Sequence, residues 1–159
     1  MTDPLPPDRR PADPPATDRL PAAPAPAALL EAALYARDLD AAERVYGDLL
    51  GLKKIARHAD RHRFYRLGAA VLLIFNPEET PKPPHNPALP VPPHGAEGPG
   101  HLCFAMDRTG IAALRARLVA AGLEVEAEFD WPNGAHSLYL RDPAGNSVEF
   151  AEPRLWAAD

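Results

Sequence analysis

The chain of 159 residues holds a single cysteine, which excludes an internal disulfide framework and fits a reducing compartment. It also lacks an apolar run of membrane-spanning length, since its best stretch, Pro21 to Leu30, is short and broken by proline. That stretch does not make a secretory signal either. The first twenty residues carry Asp3, Asp8, Asp13 and Asp18 and no uninterrupted apolar region. Basic patches are missing too: 17 Lys and Arg against 22 Asp and Glu give a formal net charge of -5, and the cations are scattered. Nothing therefore favours nucleic acid or an anionic membrane as a partner. What remains is the expectation of a soluble cytoplasmic protein whose partner is a small molecule.

Proline is scarce wherever regular structure is expected. Of 21 prolines, nine lie in residues 1–27 and nine in 77–99, leaving three for all other positions. Proline has no amide donor and clashes with a preceding helical turn, so neither tract is regular helix or central strand. The first reads as a disordered Pro/Ala-rich leader over 1–27. The second reads as a connection, either a lid over a site or a simple tie between modules. Residues 153–159 form a short tail.

Between these tracts one programme occurs twice. Leu29 to Ala36 reads as a strand, and Asp38-Leu39-Asp40 offers helix caps, with Glu43 three residues past Asp40 in the manner of a capping box. Val45, Tyr46, Leu49 and Leu50 make an apolar stripe, and Gly51 suits a left-handed C-terminal cap. Strands are predicted at about 53–57, 61–67 and 70–76. The second copy opens with His101 to Met106, is capped by Asp107 or Thr109, carries Ile111, Leu114 and Leu118, and stops at Gly122. Its strands are predicted at 124–129, 137–140 and 147–151, with a turn at 131–134. Glu31 to Gly51 spans 20 residues and His101 to Gly122 spans 21, so the copies superpose with a slip of one. The fold class is α+β, with βαβββ modules at about 28–76 and 100–152. Either module alone buries little, so the pair is predicted to join into one curved, mixed, eight-stranded sheet around a cavity.

In this repeat Glu31 and His101 are equivalent, and the counterpart of Glu149 falls at about Leu73. Alternation puts Val148 and Phe150 on one face of the last strand and Ser147 and Glu149 on the other. If the second face is enclosed, an ionised Glu149 needs a partner. Imidazole and carboxylate together suit a divalent ion of borderline hardness with positions left open for water or substrate.

DLDAAERVYGDLLGL after the first strand, GPGHLCF opening the second module and RDPAGNSVEF closing it, in that order, resemble the vicinal oxygen chelate superfamily, which includes glyoxalases, extradiol dioxygenases and bleomycin-resistance proteins. The resemblance covers about residues 28–152. It implies two βαβββ modules forming a cup, with a metal held at the positions of Glu31, His101 and Glu149. The implied ion is Mn, Zn, Ni, Co or Fe, the implied partner a small oxygen-bearing substrate, and the implied assembly a homodimer. Ser137 and Tyr139 resemble an S-x-Y strand that points two hydroxyls at substrate in fosfomycin-resistance enzymes, and Leu73 and Phe75 would form an apolar substrate wall. No catalytic base is assigned. Glyoxalase I-like enzymes carry a glutamate where Leu73 stands, so the resemblance argues against lactoylglutathione lyase activity. The alternative is a metal-free drug-binding protein of the bleomycin-resistance type, whose cationic ligand would suit the acidic balance. Cys103 is expected in the core, His58 and His62 in a solvated turn, His85 and His94 in the connection, and His136 and Arg141 at the surface.

Overall fold

The computed structural model describes residues 24–83 and 86–157. Most of the expected leader, 1–23, lies outside the described residues, as does His85. The first module comprises β1 (Glu31–Tyr35), α1 (Leu39–Glu43) extended by a wider helical turn over Arg44–Leu49, β2 (Lys53–His58), β3 (His62–Leu67) and β4 (Ala70–Phe75). The second comprises β5 (His101–Ala105), α2 (Arg108–Ala120), β6 (Ala127–Asp130), β7 (His136–Arg141) and β8 (Ser147–Ala151), followed by a 3-10 turn at Pro153–Trp156.

The repeat is exact in topology. Strand order is β1-β4-β3-β2 in one sheet and β5-β8-β7-β6 in the other. The first and last strands of each module run parallel and the other pairs antiparallel. Glu31 pairs with Val71 and Ala33 with Leu73, while His101 pairs with Ser147 and Cys103 with Glu149. Register thus confirms the equivalence of Glu31 with His101 and of Leu73 with Glu149. The two βαβββ modules are as expected. Hydrogen bonding among the described residues stays within two four-stranded sheets, however, and does not run through one continuous eight-stranded sheet.

What joins the modules is side-chain packing. One core contains Leu34, Tyr46, Tyr65, Leu72 and Ile74 of the first module with Phe104, Ile111, Leu118, Leu138, Val148 and Phe150 of the second. Alternation along each strand sends its members of this core to the helix-covered face, where Tyr46, Ile111 and Leu118 of the helices meet them. Their neighbours Glu31, Ala33 and Leu73, and His101, Cys103 and Glu149, take the helix-free face.

A polar staple crosses the joint. Asn146 is 2% exposed; its Nδ2 donates to the Tyr35 carbonyl at 3.1 Å and to Asp142 at 2.8 Å. Its Oδ1 accepts from the Gly100 amide at 2.7 Å. Asp142 in turn accepts from Tyr46 Oη at 2.8 Å, which raises the tyrosine pKa together with the larger effect of burial. Gly100 is required by close approach, since a Cβ there would stand 2.9 Å from the Leu34 side chain. The staple fixes the start of β5 and therefore His101.

Caps differ in one detail from the sequence reading. Asp38 Oδ1, not Asp40, accepts from the Ala41 amide at 2.8 Å. Asp40 and Glu43 are drawn instead to Arg63, a 2% exposed residue whose guanidinium meets Asp40 and Glu43 at 2.9 Å each. A buried cation needs such partners, and satisfying it outweighs a capping box.

Candidate metal centre

His101 and Glu149 come together on the helix-free face of the second sheet, on the paired strands β5 and β8. His101 Nε2 lies 3.4 Å from Glu149 Oε2; the histidine side chain is 54% exposed and the glutamate 7%. His101 Nδ1 is 3.1 Å from the Ser147 carbonyl. A carbonyl can only accept, so Nδ1 carries the hydrogen and, in the neutral ring, Nε2 presents its lone pair to the carboxylate. The gap suits a cation shared by both groups, a proton in an imidazolium–carboxylate pair or a divalent metal ion. The 3.4 Å separation also matches the edge of a tetrahedron with bonds of about 2.1 Å, typical of zinc with nitrogen and oxygen ligands. The donor chemistry and the spacing therefore fit a shared divalent ion.

Behind the carboxylate stands an ordered set of donors. Ser137 is fully buried; its hydroxyl donates to Glu149 Oε1 at 2.7 Å and accepts from Trp131 Nε1 at 2.8 Å. Occupying Oε1 this way turns Oε2 toward His101. Ser137 thus supports the carboxylate from beneath instead of offering its hydroxyl to a ligand above. Tyr139 stands opposite Glu149 in the ladder; desolvation first and the adjoining Glu149 carboxylate second raise the phenol's pKa, so the hydroxyl keeps its proton. Its ring stacks on Phe129 at 5.8 Å and lies 6.4 Å from the His101 ring. Cys103 is exposed and so is not core. Partial burial of its thiol and the nearby Glu149 charge push it up to about 12, so it stays neutral.

Glu31 does not join this pair within one chain. It is an exposed residue of the other sheet, and no group of three His, Cys, Asp or Glu able to hold a metal occurs among the described residues. Leu73 is 7% exposed and Phe75 9%. They lie on the same face as Glu31, covered in part by the Pro-rich connection. His94 of that connection bonds through Nδ1 to Tyr35 Oη at 2.8 Å and sets its ring edge-to-face on Phe75 at 4.6 Å. The segment therefore folds over the first module's sheet.

Other sequence expectations fall into place. His136 is held between Asp130 at 2.8 Å and Glu128 at 3.1 Å, and Arg141 pairs with Glu126 at 2.8 Å; both belong to surface ion pairs. His62 is not a solvated turn residue: it stacks on Phe64 at 4.0 Å, because alternation in β3 puts both on the face under the connection. Trp131 was legible only as part of a turn, and no local signal marked its indole as a donor to Ser137.

A paired βαβββ architecture with an imidazole and a carboxylate on the first and last strands of one module defines the class of fold. The chain belongs to the Glyoxalase/Bleomycin resistance protein/Dioxygenase superfamily, whose family model matches residues 28–150. It is 43% identical to a solved structure described as lactoylglutathione lyase from Agrobacterium tumefaciens, with a TM-score of 0.78, covering 84% of this chain and 98% of that one. A glyoxalase/dioxygenase from Nostoc punctiforme shares the fold at 18% identity and a TM-score of 0.60, covering 83% of this chain and 97% of that one. A glyoxalase/bleomycin resistance protein/dioxygenase from Nocardioides does so at 19% identity and 0.61, covering 82% and 85% respectively. A search of curated proteins gives no match. No helix among the described residues is long and apolar enough to cross a membrane.

Proposed function

We propose that this chain is a divalent-metal-dependent enzyme acting on a small oxygen-bearing substrate, and that its metal is shared between two copies. His101 and Glu149 of one copy supply two ligands, and Glu31 of a second copy supplies the third. The observation that carries the reading is the approach of His101 Nε2 to Glu149 Oε2 at 3.4 Å, with Nδ1 committed to the Ser147 carbonyl so that Nε2 is the ring nitrogen left for a ligand.

Glu31 fits the role of a ligand from outside its own chain. It is a carboxylate exposed on the helix-free face of β1, and one chain does not bring it to His101. Two copies related by two-fold symmetry would make two such sites, each from one β1 and one β5/β8 pair. An ion of the Mn, Zn, Ni, Co or Fe group held by one imidazole and two carboxylates supplies charge stabilisation at substrate oxygens. The protein's own contributions are orientation and exclusion of water. Ser137 and Trp131 hold Glu149 in one rotamer. Tyr139, protonated and beside the carboxylate, is placed to donate toward a substrate oxygen, and Phe129 holds its ring. Leu73 can neither ligate an ion nor move a proton, so the lactoylglutathione lyase activity named for the Agrobacterium relative is not carried over to this chain.

Metal analysis of protein purified without chelator tests the reading. One equivalent of divalent metal per chain is expected in the wild type, with loss in Glu149→Gln at unchanged fold. Absence of metal from both would favour a metal-free binder.

A further inference from the structure

The face of the first sheet beneath the connection holds a cavity of about 300 Å³ lined by Arg61, His62, Phe64, Phe75, Leu89, Val91 and His94, with His58 and Asn86 at its margin. That volume lies at the small end of the range for ligand pockets, about 300–1,000 Å³. Its walls are flat rings in defined orientations. Phe64 meets Phe75 edge-to-face at 5.3 Å, His62 lies parallel on Phe64, and the His94 ring closes the far side against Phe75. The fourth wall is aliphatic and still wet, for Leu89 and Val91 are 61% and 57% exposed although they line the cavity. Ring edges and faces together with uncovered aliphatic surface favour a flat apolar occupant.

Charge narrows the class further. No carboxylate lines this cavity, although the chain as a whole is acidic. Arg61 is its one lining cation; a guanidinium nitrogen of Arg61 donates to the Glu79 carbonyl, a neutral acceptor, and Arg61 has no carboxylate partner among the described residues. Its remaining donors suit an anion.

We infer that this cavity receives a planar aromatic group bearing an anionic substituent, the ring between Phe64, Phe75 and Val91 and the anion against Arg61. One strand alternation separates Phe75 from Leu73 and Tyr35 from Ala33, so the cavity continues the face on which Glu31 stands. As a statement of substrate class, an aromatic acid whose other oxygens reach the ion, the inference rests on the metal-enzyme reading above. As a statement of binding it does not. It runs against a cationic drug as ligand, because such a molecule would meet Arg61 and no acid.

The test is calorimetric titration of 2-naphthoate, with 2-naphthylmethylammonium as the cationic match, into the full chain and into Glu149→Gln. Saturable binding of one naphthoate per chain is expected in both, with the ammonium at least ten-fold weaker. Arg61→Gln should weaken naphthoate at least ten-fold. Val91→Trp, at an exposed position outside the core, should fill the cavity and abolish binding without changing the melting temperature. No saturable naphthoate binding, equal binding of cation and anion, or unchanged affinity in both Arg61→Gln and Val91→Trp would overturn the inference. Naphthoate binding to a wild type that carries no metal would uphold the pocket while removing the metal-enzyme reading.

Discussion

His101 Nε2 and Glu149 Oε2 meet across 3.4 Å, and the other ring nitrogen is spent on the Ser147 carbonyl. Everything near them serves that geometry. Asn146 anchors the start of β5, and Ser137 and Trp131 anchor the carboxylate on β8.

Removing the support beneath the carboxylate should loosen the metal without unfolding the sheet. Ser137→Ala deletes the donor to Glu149 Oε1 and frees the acid to rotate. Loss of such an outer partner costs about 10–100-fold in metal affinity. Trp131→Phe, one step further out, should cost less. Competition against a chelating dye measures both; affinity equal to wild type in Ser137→Ala would show that the hydroxyl does not orient Glu149.

The staple at the joint carries a different prediction. Asn146→Ala strips partners from the buried Asp142 carboxylate, the Tyr35 carbonyl and the Gly100 amide. Buried groups left unsatisfied cost about 1–3 kcal/mol, so urea unfolding should show a loss toward the top of that range. The same variant should bind metal more weakly than wild type even where fully folded, since His101 follows Gly100 directly. A stability change of less than about 0.5 kcal/mol would contradict this role, being the size expected of an ordinary surface substitution.

Acid should weaken the fold in two stages. His62 is lowered to about 4, chiefly by burial and further by the positive neighbours His58, Arg61 and Arg63, while an unfolded histidine titrates near 6.5 (about the usual value). Between those values the unfolded chain binds a proton that the folded chain refuses, so stability falls as pH drops through the window. Glu43 acts in the lower range. Its pKa is lowered first by the hydrogen bond from Lys54 and, after a desolvation effect of opposite sign, by Arg63, so its contribution is complete above the ordinary carboxylate range and is lost below it. Melting temperatures from pH 7 to 3 should show both slopes, with His62→Gln flattening the first and Glu43→Gln the second.

How much of this was legible in the sequence follows from range. The modules were readable because caps, apolar stripes and period-two strands are local, and the duplicated pattern fixed the equivalence of Glu31 with His101. Alternation also put Glu149 on the right face. What local pattern could not convey was which groups meet across strands and modules. Ser137 has the correct face but sits under Glu149, a consequence of the β7 and β8 register. Trp131 looked like a turn residue, although its indole reaches a buried hydroxyl six positions on. His62 and the Pro-rich connection form a cavity only because a segment far along the chain folds back over β3 and β4. Asp40 and Glu43 fitted a capping box in isolation; Arg63, twenty residues away, draws both acids to itself.

The most direct test of the shared site mixes two defective chains. Glu31→Gln and His101→Ala should each lose metal alone. Refolded together, a mixed pair has one site carrying both defects and one carrying neither, so metal should return to about one equivalent per mixed pair. Recovery at that level is the predicted result. If the mixture stays as empty as either variant alone, while each is folded and associates, the two copies do not share the ion and the account is wrong.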